Sequence, residues 1–218
     1  MKTIKIRNKN KEYSVGKIIC LGRNYAEHIK ELGNEPSELP VIFLKPASAL
    51  IYSKHPIEIP AYSQNMHHEI ELVLLIGKKL KDANAVEAEE AIIAYGVGLD
   101  MTLRDVQDNL KKKGQPWTTA KCFDMSALVS DFLAKEEHKV SPEDWMTLKV
   151  NGVVRQRQQL NKMIFPPARI VEYISSFMTI EEGDLVFTGT PSGVSKVVKG
   201  DKLYGEITNV ASFETEII

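Results

Sequence analysis

Residues 69–76 read Glu-Ile-Glu-Leu-Val-Leu-Leu-Ile, closed by Gly77. So continuous an apolar run reads as a strand entering a core. Side chains alternate along a strand, so Glu69 and Glu71 share one face where the chain enters that core. Two adjacent carboxylates losing their hydration repel each other unless something neutralises them. The pattern alone fits either an edge strand with one wet face or a cation site.

A third carboxylate bears on that choice. Asp100 ends a strand expected over residues 95–100, directly before a helical segment, and functional side chains collect at such junctions. Three carboxylates with no Cys partner suit a hard, oxygen-ligated ion: Mg2+ or Mn2+, with Ca2+ as the third option. His67 and His68 precede the pair. His68 faces away from Glu69 and reads as a core or supporting residue.

The rest of the chain reads as short strands and a few helices. A small N-terminal hairpin is expected in residues 1–16, with strands at 3–6 and 13–15. Strands follow at 17–21 and 41–44, and a short helix over 25–32 is closed by Gly33. Helices are expected at 85–94 and at 102–113, the latter capped by Thr102 with Asp105 and stopped by Gly114. Asn151-Gly152 between two alternating runs is a strong hairpin signal. Pro166-Pro167 opens a helix whose buried face is Ile170, Val171, Ile174, Phe177 and Met178. Strands at 185–188, 203–207 and 212–218 complete the set. Regular β-α-β alternation is missing, so a mainly β (α+β) mixed roll with a few peripheral helices is expected.

The formal net charge is −1 over 218 residues. No basic block points to nucleic acid, and Lys111-Lys112-Lys113 reads as a solvated helix end. No apolar run approaches the ~18 residues of a membrane span. The first residues lack the apolar stretch of a secretion signal. Cys20 and Cys122 form no Cys-x-x-Cys pair, and a reducing cytoplasm is expected.

Several ordered motifs resemble the fumarylacetoacetate hydrolase family. They are Gly22-Arg23-Asn24-Tyr25, Phe43-Leu44-Lys45-Pro46, His68-Glu69-Ile70-Glu71-Leu72 and Gly98-Leu99-Asp100-Met101-Thr102 with Arg104-Asp105-Val106-Gln107. Lys121-Cys122-Phe123-Asp124 and the run from Gly183 through Gly189-Thr190-Pro191-Ser192-Gly193-Val194 follow. The resemblance starts near Ile18 and is strongest to the short members, which lack the large N-terminal domain of true fumarylacetoacetases. It implies a catalytic domain over residues 17–218 with the fold of the fumarylacetoacetase C-terminal domain.

The resemblance also implies roles. Glu69, Glu71 and Asp100 would hold the metal. Lys121 would face the substrate oxygens beside it. Arg104 and Gln107, i and i+3 on one helix, would hold the substrate carboxylate with Arg23 and Thr190. His28 and Glu31, another i, i+3 pair, would lie on a lid and activate water as the catalytic pair, with a hinge in residues 33–40. Residues 63–66 and 122–125 are candidates for the far side of the pocket. The implied activity is metal-dependent C–C hydrolysis of acylpyruvate-type 2,4-dioxo acids to pyruvate and a carboxylate, by a cytoplasmic homodimer. Oxaloacetate decarboxylation or tautomerisation and 2-hydroxyhepta-2,4-diene-1,7-dioate isomerisation share its enolate step. A metal-containing binding module is the non-enzymatic alternative. Three carboxylates leave positions open on an octahedral ion, which favours catalysis.

Overall fold

The computed structural model describes residues 2–33, 35, 38–138 and 140–218. The strand Ile70–Ile76 lies at the middle of the main sheet, with all seven residues buried. It pairs antiparallel with Ile92–Asp100 on one side and with Leu185–Phe187 on the other. Lys17–Gly22 and then Val41–Pro46 extend the sheet beyond Leu185–Phe187; Ala127–Val129 and then Leu50–Tyr52 extend it beyond Ile92–Asp100. Two of these pairings are parallel, so the sheet is mixed. A second sheet of four antiparallel strands runs Val153–Gln159, Trp145–Val150, Lys202–Ile207, Ala211–Glu216. The molecule is thus mainly β.

The central strand's alternation divides the core in two. Ile70, Leu72, Leu74 and Ile76 pack with Met146, Leu148, Leu203 and Phe213 of the four-stranded sheet. Val73 and Leu75 face the other way, into a cluster with Ile18, Cys20, Phe132 and Phe187. Glu69 and Glu71 belong to this second face by spacing.

The N-terminal hairpin pairs Thr3–Lys5 with Glu12–Ser14 and buries Ile4 and Ile6 against the second cluster. The Asn151-Gly152 turn joins Trp145–Val150 to Val153–Gln159 with positive φ at both residues, 51° and 78°. Such a turn matches the twist of the strands it joins. The helix Pro167–Phe177 buries Ile170, Val171, Ile174 and Ser175. Phe177, expected on that face, is half exposed and meets the Tyr173 ring edge-on at 5.4 Å. The helix ends at Phe177, while Met178, also expected on that face, packs against the core just beyond it.

The second correction concerns residues 102–105. Thr102–Leu103 is a short strand paired with Met66–His67, and the helix runs over Arg104–Lys112 with no side-chain cap. Asp105 accepts hydrogen bonds from Ser63 Oγ (2.7 Å) and the Gln64 N–H (2.8 Å), fastening the preceding loop. Gly114 ends the helix region at φ 62° as expected. Of the expected hinge, Asn34, Pro36 and Ser37 lie outside the described residues.

Candidate active site

Strand register builds the acidic cluster. Ile70 pairs with Leu99 and Glu71 with Gly98, and the Asp100 N–H donates to the Glu69 carbonyl at 2.9 Å. Cross-strand partners share a face, so Glu69, Glu71, Gly98 and Asp100 all point the same way. One oxygen from each carboxylate falls within 4.8 Å of the others, and all three residues are buried.

Three buried cations meet these three buried carboxylates. Lys121 Nζ donates to Glu69 Oε2 (2.8 Å), Asp100 Oδ2 (2.6 Å) and Thr102 Oγ1 (2.6 Å). Arg104 donates to Glu69 through Nη2 and to Gln107 Oε1 through Nη1, the latter at 2.7 Å. Lys45, fully buried, lies 2.8 Å from Asp100 Oδ1 while directing hydrogen bonds at the carbonyls of Met101, Lys121 and Ser126. Asp100 Oδ1 therefore has an ion-pair neighbour but accepts no well-directed hydrogen bond. Lys121 directs its three contacts at the cluster and also lines the cleft above it.

The carboxylates differ in protonation. Burial works against charge on Glu69, but Lys121, Arg104 and His28 outweigh it and hold its pKa well below the usual range. Glu71 is pushed well above that range by burial, then by repulsion from Asp100 and Glu69. Its carboxyl accepts a hydrogen bond from a neutral donor, the Gly189 N–H at 2.7 Å. The donor set fits a hard divalent cation: all oxygen, preassembled, with one carboxylate short of positive charge and one oxygen short of a donor.

A cleft opens over this cluster, lined by Glu69, Glu71, Arg104, Gln107 and Lys121 among others. Arg23, His28 and Thr190 also line it, so the structure gathers every expected catalytic and substrate-contact position except Glu31 on its wall. Glu31 stands just behind. It holds His28 Nδ1 at 3.1 Å through Oε2 and accepts the Gly193 N–H at 3.0 Å through Oε1. Thr190 Oγ1 accepts from Gln156 at 2.8 Å. Of residues 63–66 and 122–125, none lines the cleft; Cys122 lines an adjoining apolar trough.

Two glycines make the segment after Leu185–Phe187 possible. Gly189 (φ 95°) would set a Cβ 2.7 Å from Asn24 Cβ, and Gly193 (φ 97°) one 2.1 Å from the Arg155 carbonyl oxygen. Only glycine fits such backbone at such distances. One N–H at each end of this loop thus serves the site, Gly189 for Glu71 and Gly193 for Glu31. Asn24 secures the same region. Its amide donates to the Phe165 and Thr188 carbonyls and accepts the Phe165 N–H, at 3.0, 2.7 and 2.7 Å.

Three contributors escape a reading of the sequence. Lys45 lies in an apolar strand, just before Pro46. Gln156 is fully buried and links His68 Nδ1 (2.9 Å) and the Ile70 N–H to Thr190 and the Pro191 carbonyl. It follows the bulge in Val153–Gln159, which turns it inward. Lys111, expected in solvent, lines the cleft instead. His68 is a satisfied core histidine, bonded also to Ser195 Oγ at 2.9 Å.

The model of the fumarylacetoacetate (FAA) hydrolase C-terminal domain matches residues 17–218. The chain belongs to the fumarylacetoacetate hydrolase family. It is 45% identical over 193 residues to the oxaloacetate tautomerase YcgM of Escherichia coli K12, covering 88% of each chain. It is 42% identical over 204 residues to the human mitochondrial oxaloacetate tautomerase FAHD1, covering 92% of this chain and 90% of that one. Among solved structures it resembles a Pseudomonas aeruginosa fumarylpyruvate hydrolase in complex with Mn2+ and pyruvate. The TM-score is 0.96 at 36% identity, over 100% of this chain and 95% of the other. Among the described residues no helix is long and apolar enough to cross a membrane.

Because Glu71 has a raised pKa, it retains its proton above the normal glutamate range, and a cation must displace that proton. Metal affinity should therefore rise with pH through this range and fall as the carboxylate is reprotonated. Calorimetric titration with Mg2+ at one slightly acidic pH, in buffers of different ionisation enthalpy, should show buffer-dependent heats that correspond to proton release. Buffer-independent heats would contradict the assignment of that proton.

Proposed function

We propose that this chain is a divalent-metal-dependent hydrolase that cleaves the C–C bond of acylpyruvate-type 2,4-dioxo acids. Residues 17–218 form its catalytic domain and residues 1–16 an appended hairpin. The observation that carries the reading is the seating of His28: it lines the same cleft as Glu69 and Glu71, with Nδ1 held by Glu31 and Glu31 anchored by Gly193. A histidine so oriented presents Nε2 as a base, and the carboxylate behind it stabilises the imidazolium.

Glu69, Glu71 and Asp100 would hold Mg2+ or Mn2+, which when bound supplies Lewis-acid polarisation of the 2-oxo acid. Arg104 and Gln107 bind the substrate carboxylate; the buried Arg104 Nε has no hydrogen-bond partner and is a free donor for it. Arg23 and Thr190 border the same space. His28 Nε2 takes a proton from water, whose oxygen bonds to the distal carbonyl carbon. As the C–C bond breaks, its electron pair passes into the enolate of pyruvate, whose charge Lys121 stabilises. The proton held by His28 then goes to the enolate carbon, giving pyruvate and a carboxylate.

Keto–enol tautomerisation of oxaloacetate is the second reading. It is supported by the curated relatives of that name at 42–45% identity, and His28 could move the proton it requires. We also propose a homodimer, supported by the edge strand Val41–Pro46. Among the described residues it pairs on one side only, and it exposes Leu44. An unpaired edge is a surface that needs cover.

The purified protein should release pyruvate from acetylpyruvate with Mg2+ or Mn2+ and stop on chelation. His28→Ala should lower that rate by roughly 10²–10⁴-fold, the usual contribution of a positioned general base, while oxalate still binds. Absence of pyruvate release with either metal would remove hydrolysis and leave tautomerisation to be assayed directly. Full activity in His28→Ala would refute the role of the pair. Light scattering at micromolar concentration should give twice the chain mass; a monomer mass would refute the dimer.

A further inference from the structure

Gln156 is fully buried where the bulge in Val153–Gln159 turns it inward. Two backbone groups assign its amide oxygen and nitrogen. The Ile70 N–H can only donate, at 3.2 Å, so the atom facing it is Oε1. The Pro191 carbonyl can only accept, at 2.8 Å, so the atom facing it is Nε2. The assignment carries over to the neighbouring side chains. His68 Nδ1, 2.9 Å from Oε1, carries the ring proton and donates through it. Thr190 Oγ1, 2.8 Å from Nε2, accepts. Both amide hydrogens of Gln156 are then committed, one to Pro191 and one to Thr190.

A hydroxyl that accepts from an amide keeps its own proton for another partner. Among the described residues the Thr190 hydroxyl donates to no acceptor. It is buried, and it lines the cleft beside Glu69, Glu71 and Arg104. Its proton is therefore left for an oxygen in the cleft. Turning that proton back toward Gln156 would set it against an N–H and leave a buried amide hydrogen without an acceptor, which costs more than an ordinary hydrogen bond gains. Gly193, in the same loop as Thr190, packs on the bulge so closely that a Cβ there would come within 2.1 Å of the Arg155 carbonyl oxygen. Amide and hydroxyl are thus held against each other by the backbone on both sides.

We propose that Gln156 is a positioning residue that fixes the Thr190 hydroxyl as a one-way donor into the cleft, reserved for an oxygen that carries negative charge. Gln156 acts through Thr190. This rests on the reading that the cleft binds a 2-oxo acid beside the cation site, and it applies equally to hydrolysis and tautomerisation, since both place charge on the oxygens of an enolate. A donor aimed before the charge develops loses nothing to reorientation when it does. The competing role is a purely structural one, in which Gln156 fastens His68 and Pro191 and the direction of the hydroxyl is of no consequence. The two roles differ in what they predict for a double-mutant cycle.

The test is calorimetric titration of the Mg2+-loaded protein with oxalate across a cycle of Gln156→Glu and Thr190→Val. Gln156→Glu keeps the shape of the side chain but offers Thr190 an acceptor, which draws the hydroxyl proton away from the cleft. Each single variant should bind oxalate about tenfold more weakly, the scale of one hydrogen bond to a charged group. The double variant should lose no more than Thr190→Val alone, because no hydroxyl is left to orient. Thr190→Ser should bind as the native protein does and stay sensitive to Gln156→Glu. Gln156→Met removes the donor without adding charge; its smaller loss should likewise vanish beside Thr190→Val, and it takes over the cycle if the buried carboxyl of Gln156→Glu prevents folding. Native affinity in both Gln156 variants, or an equal further loss in the Thr190→Val background, would overturn the proposal while leaving the cleft as a 2-oxo acid site; the second result is what a loosened loop or added charge would give. A native protein that binds neither Mg2+ nor oxalate would overturn the underlying reading and the proposal with it.

Discussion

Carboxylates cannot enter a core uncompensated, and here three of them do so on adjacent strands. An isolated ion moved into a low-dielectric interior loses several kcal/mol even after relaxation. The fold answers with Lys45, Arg104 and Lys121, each from a different element. Glu69 is shared by Arg104 and Lys121 and Asp100 by Lys45 and Lys121, so removing any one cation leaves each carboxylate with at least one partner. The neutralisation is nonetheless incomplete at Glu71, which touches a neutral N–H rather than a cation. That incompleteness separates this cluster from a purely structural ion-pair network, because it leaves a place for further positive charge.

The surrounding architecture holds that imbalance in place. The central strand fixes the spacing of Glu69 and Glu71, and its register with Ile92–Asp100 brings Asp100 beside them. Gly98, opposite Glu71, is hemmed in by the Leu128 carbonyl and by Phe187, so no larger residue fits there. The loop from Gly189 to Gly193 connects the acidic cluster to the His28–Glu31 pair through its two terminal N–H groups. His28, the three carboxylates and the Arg104–Gln107 pair thus share one frame, with Asn24 and Gln156 as buried fasteners.

What could be seen in the sequence follows from the range of the interactions. Glu69 and Glu71 were visible because strand periodicity is local, and His28 with Glu31 and Arg104 with Gln107 because helix periodicity is local as well. Lys45 was hidden because its burial depends on an edge strand folding back toward Asp100, 55 positions along the chain. Gln156 turns inward through a bulge that no residue pattern announces. The Thr102–Asp105 cap failed for a related reason: Lys121 and Ser63, both distant in sequence, take the side chains that would have formed it. Lys111 belongs to a triplet of lysines that is indistinguishable from a solvated helix end until the cleft beside it is seen.

The central claim is that Glu69, Glu71 and Asp100 form a cation site despite the internal neutralisation by Lys121. Anomalous diffraction at the manganese edge, from crystals grown with Mn2+ and oxalate, tests it most directly. The account predicts a single strong peak within the cleft, bonded to oxygens of all three carboxylates, with oxalate beside it. Crystals with no peak there, and Lys121 still bridging Glu69 and Asp100 alone, would contradict it.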